Sequence, residues 1–210
     1  GTQFHRAKTG MPNSRQVTAV DLDEADEFER SISGWINDGG VRVLVTSPRR
    51  LANAASELPR LDVTVLDFDE LLLDRLIAAT ANGKPSWEVV TRADAGGPAG
   101  GEWSKLQRLL DREFAALTDD LFANPGTVVL HSVGLLARYD RVNAIAEWRE
   151  RLHRGSDALQ GLWILIPGTE NASAPLIGTQ AVPVLGSGEW SQIPGTWLAN
   201  AHRSEIERRT

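Results

Sequence analysis

His131 and Ser132 are neighbours at the end of an apolar, β-branched run, TVVLHS (Thr127 to Ser132). A histidine beside a serine offers a general base and a hydroxyl nucleophile, provided the two lie within hydrogen-bond reach and a third group orients the base. Asp94 is the acid that would complete such a set for a small hydrolase or transferase. Successive side chains on an extended strand point to opposite faces, however, so this pair is not expected to form a dyad by itself. His131 reads first as structural, and no residue is assigned a catalytic role.

A phosphate-cradling loop needs Gly-x-x-x-x-Gly-Lys-Ser/Thr between a strand and a helix. After the first predicted strand the chain instead reads Ser47-Pro48-Arg49-Arg50. The glycines at 96, 97, 100 and 101 have the wrong spacing, and Glu102 beside them repels phosphate. Nucleotide hydrolysis is not expected. Arg49, Arg50, Arg138 and His131 remain candidates for a nucleic-acid or phosphate patch at one sheet edge. The competing reading is a solvated face of interleaved arginines and acids.

The four histidines (5, 131, 153, 202) are scattered, and there is no cysteine, so neither a metal site nor a cofactor is expected. Asp67, Asp69 and Glu70 cluster after the second strand, where they fit helix capping and dipole compensation better than Mg²⁺ binding. Of seven tryptophans, most sit where a core would take them. Trp190 and Trp197, near the end of the chain, are the candidates for an interface.

The elements that must position these residues alternate. A helix is predicted over Asp21 to Gly40, with Asp21 as its cap, followed by a strand at Val41 to Ser47. A helix at Arg49 to Leu58 stops at Pro59; a strand at Asp62 to Phe68 and a helix at Asp69 to Gly83 follow. Trp87 to Ala93 reads as a third strand, and Asp94 to Gly101 as a glycine-rich loop. Glu102 to Phe122 carries leucines at helical spacing. Thr127 to Ser132 is the fourth strand, Val133 to Arg154 one bent helix or two, and Leu162 to Pro167 the fifth strand. That last run is apolar on both faces and belongs in mid-sheet. A short strand at Ala181 to Gly186 and an amphipathic helix carrying Trp190, Trp197 and His202 close the chain. Strands alternating with helices predict an α/β three-layer sandwich with a mostly parallel central sheet, Rossmann-like or P-loop-like without the P-loop.

The chain has 210 residues, net charge −6 and 41% hydrophobic residues, which fits a single domain at 21–210 behind a flexible N-terminal tail or linker at 1–20. The negative charge argues against broad electrostatic binding of nucleic acid, though not against a local basic face. No apolar run approaches the roughly 20 residues of a membrane helix. Gly1 to Val17 lacks the apolar stretch of a secretory signal and reads as a linker in a segment cut from a longer protein. A cytoplasmic setting is expected.

The succession RVLVTSPRRLANAASEL, WEVVTRADA, LHSVGLLARYD, GLWILIPG and AVPVLGSGEWSQIPGTWLANAHR resembles the C-terminal region of the PglW proteins. These are the large serine/threonine kinases of phage growth limitation (type 2 BREX) systems; PglY, another large protein of that system, is the alternative match. The resemblance covers about Val41 to Arg203. The kinase signatures are absent: there is no Val-Ala-x-Lys, His-Arg-Asp or Asp-Phe-Gly. The resemblance therefore implies a non-catalytic module of an anti-phage defence protein, contacting sister components or other domains of its parent chain. The alternatives are a nucleotide- or nucleic-acid-binding module without hydrolysis and, behind it, the small hydrolase or transferase.

Overall fold

The computed structural model describes residues 18–199. The tail at 1–17 and the segment at 200–210, with His202, lie outside them.

Helix α1 (Ala19–Asp38) starts two residues before the expected point, because Thr18 rather than Asp21 is its cap. The Asp21 N–H donates to Thr18 Oγ1 at 3.2 Å, and Asp21 Oδ2 accepts from the Thr18 N–H at 2.9 Å. Asp21 is thus the distal half of a capping box. Gly39 ends the helix at φ 70° and delivers the chain into β1 (Gly40–Thr46). A 3₁₀ turn at Pro48–Arg50 leads to α2 (Leu51–Glu57), then β2 (Thr64–Asp67) and α3 (Phe68–Ala79).

The third predicted strand is a helix, α4 (Trp87–Gly96). Ser86 caps it through the Val89 N–H at 3.3 Å, and Val90 and Ala93 are the buried pair at i, i+3. The β-branched run Val89-Val90-Thr91 has strand propensity, but the cap and the buried helical stripe decide its conformation. The glycine-rich loop therefore begins at Gly97 rather than Asp94.

Next come α5 (Trp103–Phe122) and β3 (Gly126–His131). The stretch 133–154 forms two helices, α6 (Gly134–Arg138) and α7 (Ala144–Arg154), parted by a turn in which Asp140 has φ 56°. Strand β4 (Leu159–Pro167) is followed by a small antiparallel hairpin of β5 (Leu176–Ile177) and β6 (Gln180–Ala181), turning at Gly178.

The expected strand at Ala181 to Gly186 is confined to its first residue by Pro183. The expected closing helix also differs. Trp190–Gln192 is a strand, β7, and α8 covers only Gly195–Leu198 among the described residues. Pro194 holds Ile193 extended, its N–H donating to the Val45 carbonyl at 2.8 Å, and the outer edge of β1 offers the residues before it a ladder.

The main sheet has the order β2-β3-β4-β1-β7, and every pairing in it is parallel. The apolar run Leu162 to Ile166 is buried within β4, between β3 and β1. Helices cover both faces, giving the expected α/β three-layer sandwich. On one face Val43, Val45, Leu130 and Ile164 pack against α3, α5 and α7. There Phe114 stacks on Trp148 at 5.9 Å, and Phe68 meets both rings edge-on. On the other face Leu44, Trp163 and Leu165 pack against Phe28, Leu58 and Trp197 of α1, the turn after α2, and α8. Among the described residues no helix is long and apolar enough to cross a membrane.

Candidate functional site

The chain leaves β1 into α2, on the second face, whereas after β4 it carries Ile177 and Val182 into the core of the first face. β1 and β4 are neighbours, so their onward connections part at the carboxyl ends of the strands. That divergence opens a crevice, which is where parallel α/β sheets tend to bind ligands. A cavity of about 540 Å³ lies there, walled by Val45, Pro48, Leu51, Ile166 and Ile177 among others, with Ser132 and Thr169 supplying hydroxyls.

Ser132 meets this wall in an unusual backbone conformation. Its φ is 52°, in the left-handed region a non-glycine residue rarely enters. This turns the residue out of the strand, and the expected opposition of neighbouring side chains no longer holds: Ser132 Oγ lies 3.0 Å from His131 Nδ1. The turn is locked by α3. The Asp69 N–H donates to the Ser132 carbonyl at 2.9 Å, while the Asp69 carboxylate accepts the Leu135 N–H at 2.9 Å and that of Gly134. Burial pushes the Asp69 carboxyl above its ordinary value, opposed in part by those two N–H groups. Asp67 caps α3 by accepting the Glu70 N–H at 2.9 Å. The acidic cluster is thus a pair of helix caps.

Asp94 does not join His131 and Ser132. Its carboxylate accepts from Arg138 Nε at 3.1 Å and from the Tyr139 hydroxyl at 3.0 Å, and its carbonyl accepts from Arg138 at 2.9 Å. This ties α4 to the end of α6. Burial, reinforced by the Asp94 hydrogen bond, pushes the Tyr139 phenol up to about 12.

The candidate basic residues divide. Arg138 is committed to Asp94, whereas Arg49 and Arg50 are exposed on the turn whose flanking residues Pro48 and Leu51 wall the cavity. The Arg50 guanidinium lies against Gly195, where a Cβ would collide with it. The interface candidates divide as well. Trp197 is 1% exposed; its ring meets Phe28 edge-on at 5.1 Å, and its indole N–H donates to Glu29. Trp190 is half-buried in β7 and packs against the first core.

Sequence reasoning missed the cavity walls, since apolar residues at strand ends look like any other core. It also missed Arg149, which donates to Glu189 at 2.6 Å and to the Pro183 carbonyl, fixing the connection between β6 and β7 against α7. One of three arginines on an amphipathic helix, it gives no sign in the sequence of so distant a partner.

No family model and no solved structure matches the chain. It is similar to a curated Streptomyces coelicolor protein described as "Probable kinase PglW", with 32% identity over 205 residues. The match takes in 92% of this chain and 13% of that protein. The resemblance to PglW is borne out, and the chain spans a small fraction of that relative's length.

Proposed function

We propose that this chain is a non-catalytic α/β module of a Pgl-type phage-defence protein. It acts in the cytoplasm through contacts with other domains of its parent chain or with sister components of the defence system. The observation that carries this reading is the similarity over 92% of the chain to a segment making up 13% of a probable kinase. A unit of that size riding on a far larger polypeptide has its natural role in contacts. The occupation of the strand-end side chains supports the absence of catalysis. Asp67 and Asp69 cap helices, Asp94 holds Arg138 and Tyr139, and the turn after β1 has neither glycine nor lysine. Among the described residues His131 has a hydroxyl partner and no carboxylate in its hydrogen bonds.

Deletion of this segment from the parent gene tests the proposal. The expected result is loss of protection against phage while the purified remainder keeps its kinase activity. Protection equal to that of the intact protein would overturn it.

A second reading, binding of nucleotide or nucleic acid without hydrolysis, draws on the exposed Arg49 and Arg50 beside the cavity. It predicts binding that weakens with salt and with Arg49→Ala. Absence of any shift with DNA, RNA or ATP at low salt removes it.

A further inference from the structure

β7 (Trp190–Gln192) stands at the end of the main sheet and, among the described residues, pairs with β1 alone. The Ile193 N–H donates inward to the Val45 carbonyl at 2.8 Å, so alternation along the strand turns the Gln192 N–H to the outer side. An edge of this kind is a template for one more strand. Beside it α1 and β7 enclose a groove of about 340 Å³, lined by Glu24, Glu27, Phe28, Ser191, Gln192 and Pro194 among others. Both of its charged residues are acids. Glu24 and Glu27 are exposed, and neither has an ion-pair partner among the described residues.

Charge points to what fits there. Residues 19–29 of α1 hold six acids and no lysine or arginine. Residues 1–17, which lead into that helix, hold Arg6, Lys8 and Arg15 and no acid. The segment 200–210 is less suited, since two glutamates offset its three arginines.

Connectivity points to the same segment. From β1 through α2 to β2 the chain crosses the second face, moving along the sheet away from β7. A strand outside β7, followed by α1 on that same face and then β1, would move the same way and share the right-handed sense. The Thr196 hydroxyl, just past the end of β7, donates to the Asp21 carbonyl at 2.9 Å, so α1 begins at the carboxyl ends of the strands. A strand feeding it from there runs parallel to β7. Phe4, Arg6 and Lys8 recur at the period of a strand, and Gly10, Pro12 and Asn13 after them are turn residues. The connection at 9–17 spans up to about 30 Å, ample for the return to Thr18.

We propose that residues 2–8 of this chain add a sixth, parallel strand at the outer edge of β7, with Arg6 and Lys8 set against Glu24 and Glu27. This closes the edge to other chains. It is separate from the module's proposed contacts, and either can fail without the other.

Amide hydrogen exchange, followed by NMR on the whole 210-residue chain, tests this, with Leu162 to Ile166 of β4 reporting the integrity of the fold. The expected result is slowed exchange at Gln192 and at alternate amides of residues 2–8. Arg6→Glu with Lys8→Glu, or Glu24→Lys with Glu27→Lys, should speed both about three- to tenfold, the scale of two exposed charge contacts, and leave β4 unchanged. Combining all four substitutions should restore the protection. A spin label on Thr2→Cys, in a chain with no other cysteine, should broaden the signals of Ser31 and Gln192 within one molecule. Fast exchange at Gln192 together with unbroadened signals overturns the proposal. Protection that ignores the reversals, or that the fourfold swap does not restore, overturns the ionic pairing. Protection lost instead in Arg208→Glu with Arg209→Glu gives the edge to 200–210, and protection that rises with protein concentration gives it to a second copy; either overturns the proposal.

Discussion

Ser132 Oγ and His131 Nδ1 lie 3.0 Å apart although the two residues are consecutive at the end of β3. The contact exists because Ser132 leaves the strand at φ 52° under the grip of Asp69 on its carbonyl. The left-handed conformation costs a non-glycine residue about 1–2 kcal/mol, and a β-branched residue resists it most. Ser132→Gly should therefore leave the thermal midpoint at or above that of the native chain, while Ser132→Val lowers stability by about 1–3 kcal/mol. Equal stability of the two variants in denaturant unfolding would mean that the turn relaxes.

Tyr139 is the chain's single tyrosine, so its ionisation can be followed by ultraviolet absorbance. Burial first, and the hydrogen bond to Asp94 second, raise its pKa from 10.0 to about 12. A folded pKa above the unfolded one makes the neutral phenol stabilising: the contribution is complete below pH 10 and is lost as the pH rises through about 12. The titration should show that upward shift, and Asp94→Asn should reduce it without removing the part due to burial. An ordinary phenol midpoint in the native chain would contradict the packing of α4 on α6.

Trp197 joins α8 to α1 by its edge-on contact with Phe28 and its hydrogen bond to Glu29. Trp197→Ala should cost about 3–5 kcal/mol, the usual loss for a buried large aromatic, and unfold the second face first. Hydrogen exchange would register this as loss of protection in α1 before β3. A change below about 1 kcal/mol would place this side chain outside the core.

Gly39 combines φ 70° with a close approach to β4: a Cβ there would sit 2.5 Å from the Gln160 carbonyl oxygen. Gly83 has nearly the same φ, 69°, with nothing within 4 Å. Gly83→Ala should therefore show only the left-handed penalty of about 1–2 kcal/mol, and Gly39→Ala distinctly more. Equal midpoints for the two variants would deny the steric part.

The strands and long helices of this fold were legible because their signals are local. β1, β3 and β4 are apolar runs between breakers, and α5 has an unbroken stripe from Leu106 to Leu121. Trp87 to Ala93 misled because its β-branched residues speak for a strand, while the Ser86 cap and the burial of only Val90 and Ala93 speak for a helix. The tail misled differently: β7 exists because the edge of β1 is available three-dimensionally, which no local pattern encodes. At the candidate site, the sequence identified His131, Ser132 and the arginines as the residues worth weighing. It could not pair Arg138 with Asp94, whose contact spans 44 positions, nor foresee that a positive φ would bring His131 and Ser132 together.

The proposed module works by contact and not by turnover. Its most direct test is calorimetric titration of the purified 210-residue chain with the separately expressed remainder of the proposed parent kinase and with each sister defence protein. Saturable binding to at least one of them, with no release of phosphate from ATP by the chain alone, is the predicted result. No binding to any of them, together with turnover that disappears in Ser132→Ala, would contradict it.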